Sequence, residues 1–263
     1  MLKLRNKMNT TILDLDTPAT YIGILDETIY AEDVWPVLES YFKDKQGKIG
    51  ELFVDTASIK DPFLKKLQHS CEDLFRKRYN YVTAYHACRT NDPEQYRKFG
   101  LLTASQERLE AKAREIFFGK EGLEEAISKE KSYFEAYGGQ VHMYISAKFA
   151  AIDYLEKGSL YLRKVAAELG TEDCLERQGK SVFVKCKLPL SWLQFSSSFW
   201  GEHRFLYRYT AALIRKCIWA KAFPDEECED CETLAVSKDI PPENVLAILD
   251  AEVCINWKEK GRA

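Results

Sequence analysis

The chain has 263 residues, of which 46% are hydrophobic, and this length suffices for one large core or two smaller ones. A formal net charge of −3 excludes a global field that would draw the protein to nucleic acid or to a membrane surface. No apolar run has the length of a signal peptide or of a membrane-spanning helix, so we predict a cytoplasmic protein without a membrane partner.

The first 78 residues have the pattern of a small helical region. Apolar residues follow the helical period in "AEDVWPVLESYFKD" and, more regularly, in "DPFLKKLQHSCEDLFRKRY". In the second segment Asp61 is a candidate N-cap, and Pro62 suits the first helical position. We therefore assign residues 1–78 to an N-terminal helical region and residues 79–263 to a second domain.

From Tyr79 the pattern changes to short strands separated by helices. The run "YNYVTAYHA" is β-rich, and "NDPEQYRKFG" then begins with a cap signal and ends at Gly100. Two charged helices follow, and the pair Gly138-Gly139 ends the second before the alternating strand "QVHMYIS". Next we predict a helix over about 147–169, a half-buried strand in "SVFVKCKLPLSWL" and a helix in "FLYRYTAALIRKCIWAKAF".

The last predicted elements are two strand-like runs in "CETLAVSKDIPPENVLAILDAEVCINW". Neither Pro241 nor Pro242 has a backbone N–H to donate to a central ladder, so they mark the turn between the runs. Helices separated by short, non-repeating strands predict an α+β fold rather than a regular βαβ sheet. The sequence contains no GxGxxG, GxxxxGK[ST], HExxH or GxSxG, and this removes the commonest nucleotide and hydrolase signatures.

The cysteines and histidines do not indicate a metal site. Most of the eight cysteines lie in apolar or mixed segments, and we expect free buried thiols in a chain without a secretion signal. The one CxxC pair, Cys228 and Cys231, is surrounded by acidic residues and has no second Cys or His pair near it. With only four histidines in the chain, we predict that no metal is bound.

Three polar positions associated with strands occur in the order His, Tyr, Glu. They are His86 in "YHACR", Tyr144 in "GGQVHMYISAKFAAIDY" and Glu232 in "CETLAVSKDIPPENVLAI". Over about residues 79–257 these segments resemble the motifs of the poly(ADP-ribose) polymerase branch of the ADP-ribosyltransferase superfamily. The last segment looks like that of bacterial DNA- and RNA-modifying toxins. The resemblance implies a split β-core with flanking helices.

The resemblance also implies that NAD⁺ is the co-substrate. Loss of nicotinamide passes through an oxocarbenium-like transition state, which a carboxylate fixed near the ribose stabilises. Glu232 matches that catalytic carboxylate, and Glu229 is its nearest substitute. His86 matches the residue that bonds a ribose hydroxyl, and Tyr144 matches the tyrosine that stacks on nicotinamide.

Four further residues are implied to bind NAD⁺. Ala87 offers backbone groups to the carboxamide, Arg89 is placed to reach the pyrophosphate or the adenine ribose, and Ser146 and Tyr154 belong to the second segment. The family has glycine where this chain has Ala87. That departure is the feature that favours a binding module without activity.

The function implied by the resemblance is transfer of ADP-ribose to a macromolecule, as in a bacterial toxin or a phage-defence effector. Nucleic acid is favoured over protein as the acceptor, and an antitoxin or inhibitor protein is a further expected partner. The alternatives are an NAD⁺ glycohydrolase, an NAD⁺-dependent RNA 2′-phosphotransferase, a catalytically inactive binding module, and a helical protein in which the motif order is accidental. The phosphotransferase requires basic residues around the nucleotide, and the sequence identifies only Arg89.

Overall fold

The computed structural model describes residues 12–43, 62–147, 152–195, 210, 212–214 and 233–251. In this part of the chain, helices alternate with the strands of a mainly antiparallel sheet, so the α+β class is confirmed. The chain divides into two compact units. The first consists of Met1–Thr83, Leu188–Gln194 and Arg204–Cys228, and the second of Ala84–Lys187, Phe195–His203 and Glu229–Ala263. The sequence-based division at residue 78 lies at a helix end, whereas the units divide inside a strand.

The first unit is mainly helical. Its elements are β1 (Ile12–Leu13), a 3₁₀ helix (Pro18–Thr20), α1 (Ile22–Glu27), α2 (Trp35–Lys43), α3 (Pro62–Arg78) and the first residues of β2 (Tyr81–Thr90). The strand β1 pairs in parallel with the start of β2, with Leu13 opposite Val82. The predicted helix with Pro62 in its first position is confirmed as α3, and its buried face includes Leu67, Cys71 and Phe75.

A buried carboxylate joins the start of the first unit to β2. Asp14 is buried, and its carboxylate accepts hydrogen bonds from the hydroxyls of Thr17 and Thr83 and from the backbone N–H of Asp16. A buried charge is tolerated only when its oxygens are hydrogen-bonded in this way. These bonds therefore fix the loop after β1 against β2.

The second unit contains the remaining strands and the shorter helices. After β2 they are α4 (Gln95–Phe99), α5 (Gln106–Ile116), α6 (Leu123–Lys129), α7 (Ser132–Tyr137), β3 (Val141–Tyr144), α8 (Ile152–Lys157), α9 (Leu160–Glu168), α10 (Asp173–Glu176), β4 (Lys180–Pro189), β5 (Thr233–Val236) and β6 (Val245–Asp250). The last two residues of β4 and most of the 3₁₀ helix Leu190–Phe195 belong to the first unit.

Two predicted helices of this unit are each divided in the structure. The helix expected over 147–169 is α8 and α9, which meet at Gly158, where a φ of 71° interrupts the helical backbone. The charged helix before Gly138 is divided into α6 and α7. The turn predicted at Pro241-Pro242 is confirmed, since a 3₁₀ helix (Pro242–Asn244) leads into β6.

The strand order in the sheet is β5-β3-β2-β4-β6. The strand β3 pairs antiparallel with β5, from Val141 opposite Val236 to Tyr144 opposite Thr233. On its other side β3 pairs antiparallel with β2, with Tyr85 opposite Tyr144. The strands β2, β3 and β5 are therefore neighbours, although long segments of chain separate them.

The core of the second unit has two clusters of buried side chains. One lies among the helices and includes Phe117, Tyr133, Tyr161 and Val165. The other packs the sheet against α8, and its members are Tyr85, Ala87, Tyr144, Leu155, Phe183 and Ala251. The second cluster fixes α8, and with it Tyr154, against β2 and β3.

Candidate functional site

A cavity of about 450 Å³ lies in the second unit, a volume in the range of small-molecule sites. Its lining comes from β2, β3 and the helices α4, α5, α7, α8, α9 and α10, together with residues between them. The two strands contribute His86, Cys88 and His142, and the helices contribute aromatic and basic side chains. The cavity therefore combines ring surfaces, imidazole nitrogens and cations.

His86 is held in one orientation by the neighbouring strand. Its Nδ1 lies 2.8 Å from the backbone carbonyl oxygen of His142 on β3. Because a carbonyl only accepts, Nδ1 carries the proton and donates, and the Nε2 of the neutral ring is left as an acceptor. Burial lowers the pKa of His86, against the opposing effect of this hydrogen bond. The ring is therefore neutral at pH 7, with Nε2 available to a ligand.

His142 is a second histidine of the cavity. Its Nε2 is buried and has no hydrogen-bond partner among the described residues. Burial, followed by the proximity of His86, lowers the pKa of His142. The ring lies edge-on to Tyr137, with 5.5 Å between the centroids. Sequence reasoning gave His142 no role, although its two-residue spacing from Tyr144 places both on one face of the strand.

Tyr154 on α8 supplies an aromatic wall of the cavity. The guanidinium carbon of Arg163 lies 4.9 Å from the centroid of the Tyr154 ring, a cation–π contact. The ring of Tyr144 meets Tyr154 edge-to-face at 6.3 Å between the centroids. Tyr154 thus lines the cavity, and its ring also packs against Arg163 and Tyr144.

Tyr144 and Ser146 do not reach the cavity. Both are buried, at 6% and 4% exposure, and neither is among the described residues that line the cavity. Ala87 does line it, and Ala87 also belongs to the buried cluster with Tyr144 and Leu155. The structure therefore brings His86, Ala87 and Tyr154 together at the cavity and places Tyr144 one layer deeper.

Arg89 is fully engaged within the protein. Its guanidinium donates to the backbone carbonyls of Leu155, Glu176, Gln178 and Gly179 and to the hydroxyl of Ser181, at 2.7–3.2 Å. A guanidinium has five N–H donors, and these bonds use all of them. Arg89 therefore joins β2 to α8 and to the loop before β4, and no donor is left for the phosphate that the sequence assigned to it.

The proposed catalytic acid lies outside the described residues. This holds for Glu232, for its substitute Glu229, and for the CxxC pair Cys228 and Cys231. Thr233, which follows Glu232 in the sequence, is the first residue of β5 and pairs opposite Tyr144.

Besides Arg89, three cations line the cavity: Arg108 and Lys112 on α5, and Lys157 at the end of α8. No Asp or Glu occurs among the described residues of the lining. Sequence reasoning missed these cations and identified only Arg89 as a basic residue of the site. A signal was present, since Arg108 and Lys112 are four residues apart and so share one face of a helix.

No family model matches the chain, and no curated protein or solved structure matches it. In the described ranges no three His, Cys, Asp or Glu side chains come together as ligands for a metal ion. None of the helices in those ranges is both long and apolar enough to cross a bilayer.

Proposed function

We propose that the protein is an NAD⁺-dependent ADP-ribosyltransferase and that the cavity receives the nicotinamide riboside part of NAD⁺. The observation that carries the proposal is the order of strands β5-β3-β2. His86 lies in β2 and Tyr144 lies in β3, while Glu232 immediately precedes β5 in the sequence. A motif that is scattered along the chain therefore corresponds to neighbouring strands of one sheet.

In this proposal His86 and Tyr154 bind the reacting part of NAD⁺. The Nε2 of His86 accepts a hydrogen bond from a ribose hydroxyl, and its position is fixed because Nδ1 is bonded to the carbonyl of His142. The ring of Tyr154 stacks on nicotinamide, a contact worth about 1 kcal/mol beyond its buried area. Tyr144, which the sequence assigned to stacking, supports Tyr154 from behind.

Glu232 is the proposed catalytic residue. Its carboxylate would bond the ribose 2′-hydroxyl and stabilise the positive charge that develops at C1′. The bond from C1′ to nicotinamide breaks, and nicotinamide leaves with the bonding electron pair. An oxygen or nitrogen of the macromolecular acceptor then adds to C1′ and loses its proton to solvent or to a base.

The RNA 2′-phosphotransferase is a second candidate, because the cavity supplies the basic residues that this activity requires. Arg108, Lys112 and Lys157 line the same cavity as His86. Such cations would hold the RNA 2′-phosphate beside the ribose of NAD⁺. An RNA with a 2′-phosphate tests this reaction directly, since the phosphate would leave the RNA.

The proposal is tested with NAD⁺ labelled in its adenine, incubated with separate pools of RNA, DNA and cell protein. We expect label to move to one pool, and Glu232→Gln to reduce the rate by about 100-fold or more. Glu243→Gln, which changes an exposed acid of the same unit, is the matched control and should transfer label at the original rate.

The other outcomes separate the alternatives. Release of nicotinamide without label on a macromolecule would identify a glycohydrolase. An unchanged rate in Glu232→Gln would remove Glu232 from the mechanism. If NAD⁺ is not consumed with any pool, the proposed activity is wrong. An NAD⁺ that is not consumed but still raises the melting temperature would identify a binding module.

A further inference from the structure

The described lining of the cavity contains basic side chains and no Asp or Glu. Arg108, Lys112 and Lys157 approach it from two helices, while the remaining described lining is apolar, aromatic or uncharged apart from Arg89. A cation that is partly removed from water needs an anion or hydrogen-bond acceptors to offset its desolvation. Arg89 already has such acceptors, so the other three cations are the ones that would gain from a bound anion.

The three cations differ in how far the protein already neutralises them. Lys112 pairs at 2.9 Å with Glu115, an exposed residue of the same helix. Arg108 donates to the backbone carbonyl of Thr103. The pKa of Asp239 is lowered chiefly by the hydrogen bond from the backbone N–H of Thr103, and the charge of Arg108 adds a smaller lowering. Lys157 is half-buried, and no described carboxylate pairs with it. Lys157 is therefore the cation with the most to gain from an anionic ligand.

The chain around Lys157 leaves room for an anion. Gly158 and Ser159 follow it, and both also line the cavity. Gly158 has a φ of 71° and donates its backbone N–H to the carbonyl of Tyr154. The hydroxyl of Ser159 makes no capping bond to α9, although Ser159 is the residue that precedes this helix. That hydroxyl is consequently available as a donor beside the Lys157 ammonium.

Lys157 also lies one helical turn from the aromatic wall. Tyr154 and Lys157 are three residues apart on α8, and residues at this spacing have their Cβ atoms about 5–6 Å apart on one face of a helix. A ligand that stacks a ring on Tyr154 can therefore place an attached phosphate near Lys157. Nucleotides combine a ring, a ribose and phosphate in this way.

We infer that Lys157, assisted by Ser159, Arg108 and Lys112, forms the phosphate subsite of the cavity and that the ligand is a nucleoside diphosphate or its ribosyl derivative. The inference rests on the proposed function only for the identity of that ligand as NAD⁺. It gives the role of the pyrophosphate ligand to Lys157, because Arg89 has no free donor.

The test measures binding to the full chain by calorimetry, with ADP-ribose, ADP, adenosine and inorganic pyrophosphate as probes. We expect ADP-ribose and ADP to bind and adenosine to bind at least about tenfold more weakly. Lys157→Ala should raise the Kd of ADP-ribose by about tenfold or more and leave that of adenosine unchanged. Lys157→Arg should stay within about threefold of the original Kd, because it keeps the charge.

Lys120→Ala is the matched control, since it removes an exposed lysine of the same unit that does not line this cavity. The melting temperature of each unliganded variant shows that it is folded. An unchanged Kd for ADP-ribose in Lys157→Ala would overturn the inference, and so would equal binding of adenosine and ADP. Binding of pyrophosphate as tight as that of ADP would overturn the assignment to a nucleotide.

The two proposals can fail separately. If ADP-ribose binds in a manner that depends on Lys157 but NAD⁺ is not consumed, the phosphate subsite stands and the transferase is wrong. If NAD⁺ is consumed and Lys157→Ala binds ADP-ribose normally, the transferase stands and the subsite is wrong.

Discussion

Two polar side chains of β2, three positions apart, are used in opposite ways. Every donor of Arg89 is bonded to the protein itself, through four backbone carbonyls and one hydroxyl. His86 uses one ring nitrogen to bind the carbonyl of His142 and keeps the other available in the cavity. Close to it, His142 Nε2 and Lys157 likewise have no described partner.

The difference shows that the hydrogen-bonding groups of a partly buried polar residue can serve either the stability of the fold or the binding of a ligand. A polar group whose hydrogen bonds are complete within the fold stabilises that fold and has little to offer a ligand. A buried donor or acceptor without a hydrogen-bond partner lowers the stability of the fold until a ligand or water supplies that partner. Residue type does not distinguish the two cases, since arginine is the residue most often expected to bind phosphate.

The largest expected effect is the loss of stability when Arg89 is replaced. Arg89→Ala removes the donor from several part-buried acceptors at once, and we expect a loss of about 4 kcal/mol in the free energy of unfolding. Arg89→Lys should restore less than about half of that loss, because an ammonium has three donors and no planar fork. Urea denaturation measures both values. A loss below about 1 kcal/mol would show that the guanidinium is not structural.

A smaller loss is expected where the loop before β4 approaches β2. Gly179 has a φ of 64°, and an added Cβ would lie 2.3 Å from the carbonyl carbon and oxygen of Thr90. Gly179→Ala should therefore cost about 3 kcal/mol, from backbone strain together with the displaced contact.

Gly170→Ala is the matched variant for this prediction. Gly170 has a φ of 61°, yet an added Cβ would meet nothing within 4 Å. Its cost should be about 1 kcal/mol, from backbone strain alone. Denaturation curves of the two variants compare the costs, and equal costs would mean that the close approach to Thr90 is not rigid.

The smallest expected effect is the pH dependence that His86 and His142 give to the free energy of unfolding. Burial lowers the pKa of both His86 and His142 below the ordinary value of 6.5. The unfolded chain therefore binds protons at a higher pH than the folded protein does. Their contribution to stability is complete above pH 6.5 and is lost as the pH falls through the lowered values.

This loss amounts to at most about 1.4 kcal/mol for each histidine and each pH unit in that window. Stability measured against pH from 7 to 5 should fall less steeply in His86→Gln and in His142→Gln than in the original protein. His69→Gln, which changes an exposed histidine of α3, provides the control. Asp239 cannot produce this slope, because its lowered pKa confines its contribution to more acidic pH. Parallel curves for the original protein and both cavity variants would contradict the burial of these rings.

Local patterns predicted many of the described elements in both units. The buried face of α3, the strand that carries His86, the alternating strand that carries Tyr144 and the turn at Pro242 are visible in the sequence, because each depends on neighbouring residues. The break at Gly158 was not predicted. A glycine can be tolerated within a helical pattern, and only packing decides whether the helix continues through it.

The site itself was predicted in part. His86, Ala87 and Tyr154 were selected from motifs, and the structure places all three at one cavity. Lys157 and His142 were missed, although each shares a face with a motif tyrosine, because spacing alone does not show which face borders a cavity. Their role depends on what other segments do and do not place beside them.

The sequence by itself determined the helical and strand periodicity, the α+β class and the order His, Tyr, Glu along the chain. The tertiary structure alone decided which strands are neighbours and that Lys157 faces the cavity with no partner among the described carboxylates. It also decided that the donors of Arg89 bond within the protein, to acceptors that lie 66 to 92 positions away along the chain. The physical reason is that hydrogen-bond capacity belongs to the residue, whereas its satisfaction depends on segments that only folding brings together.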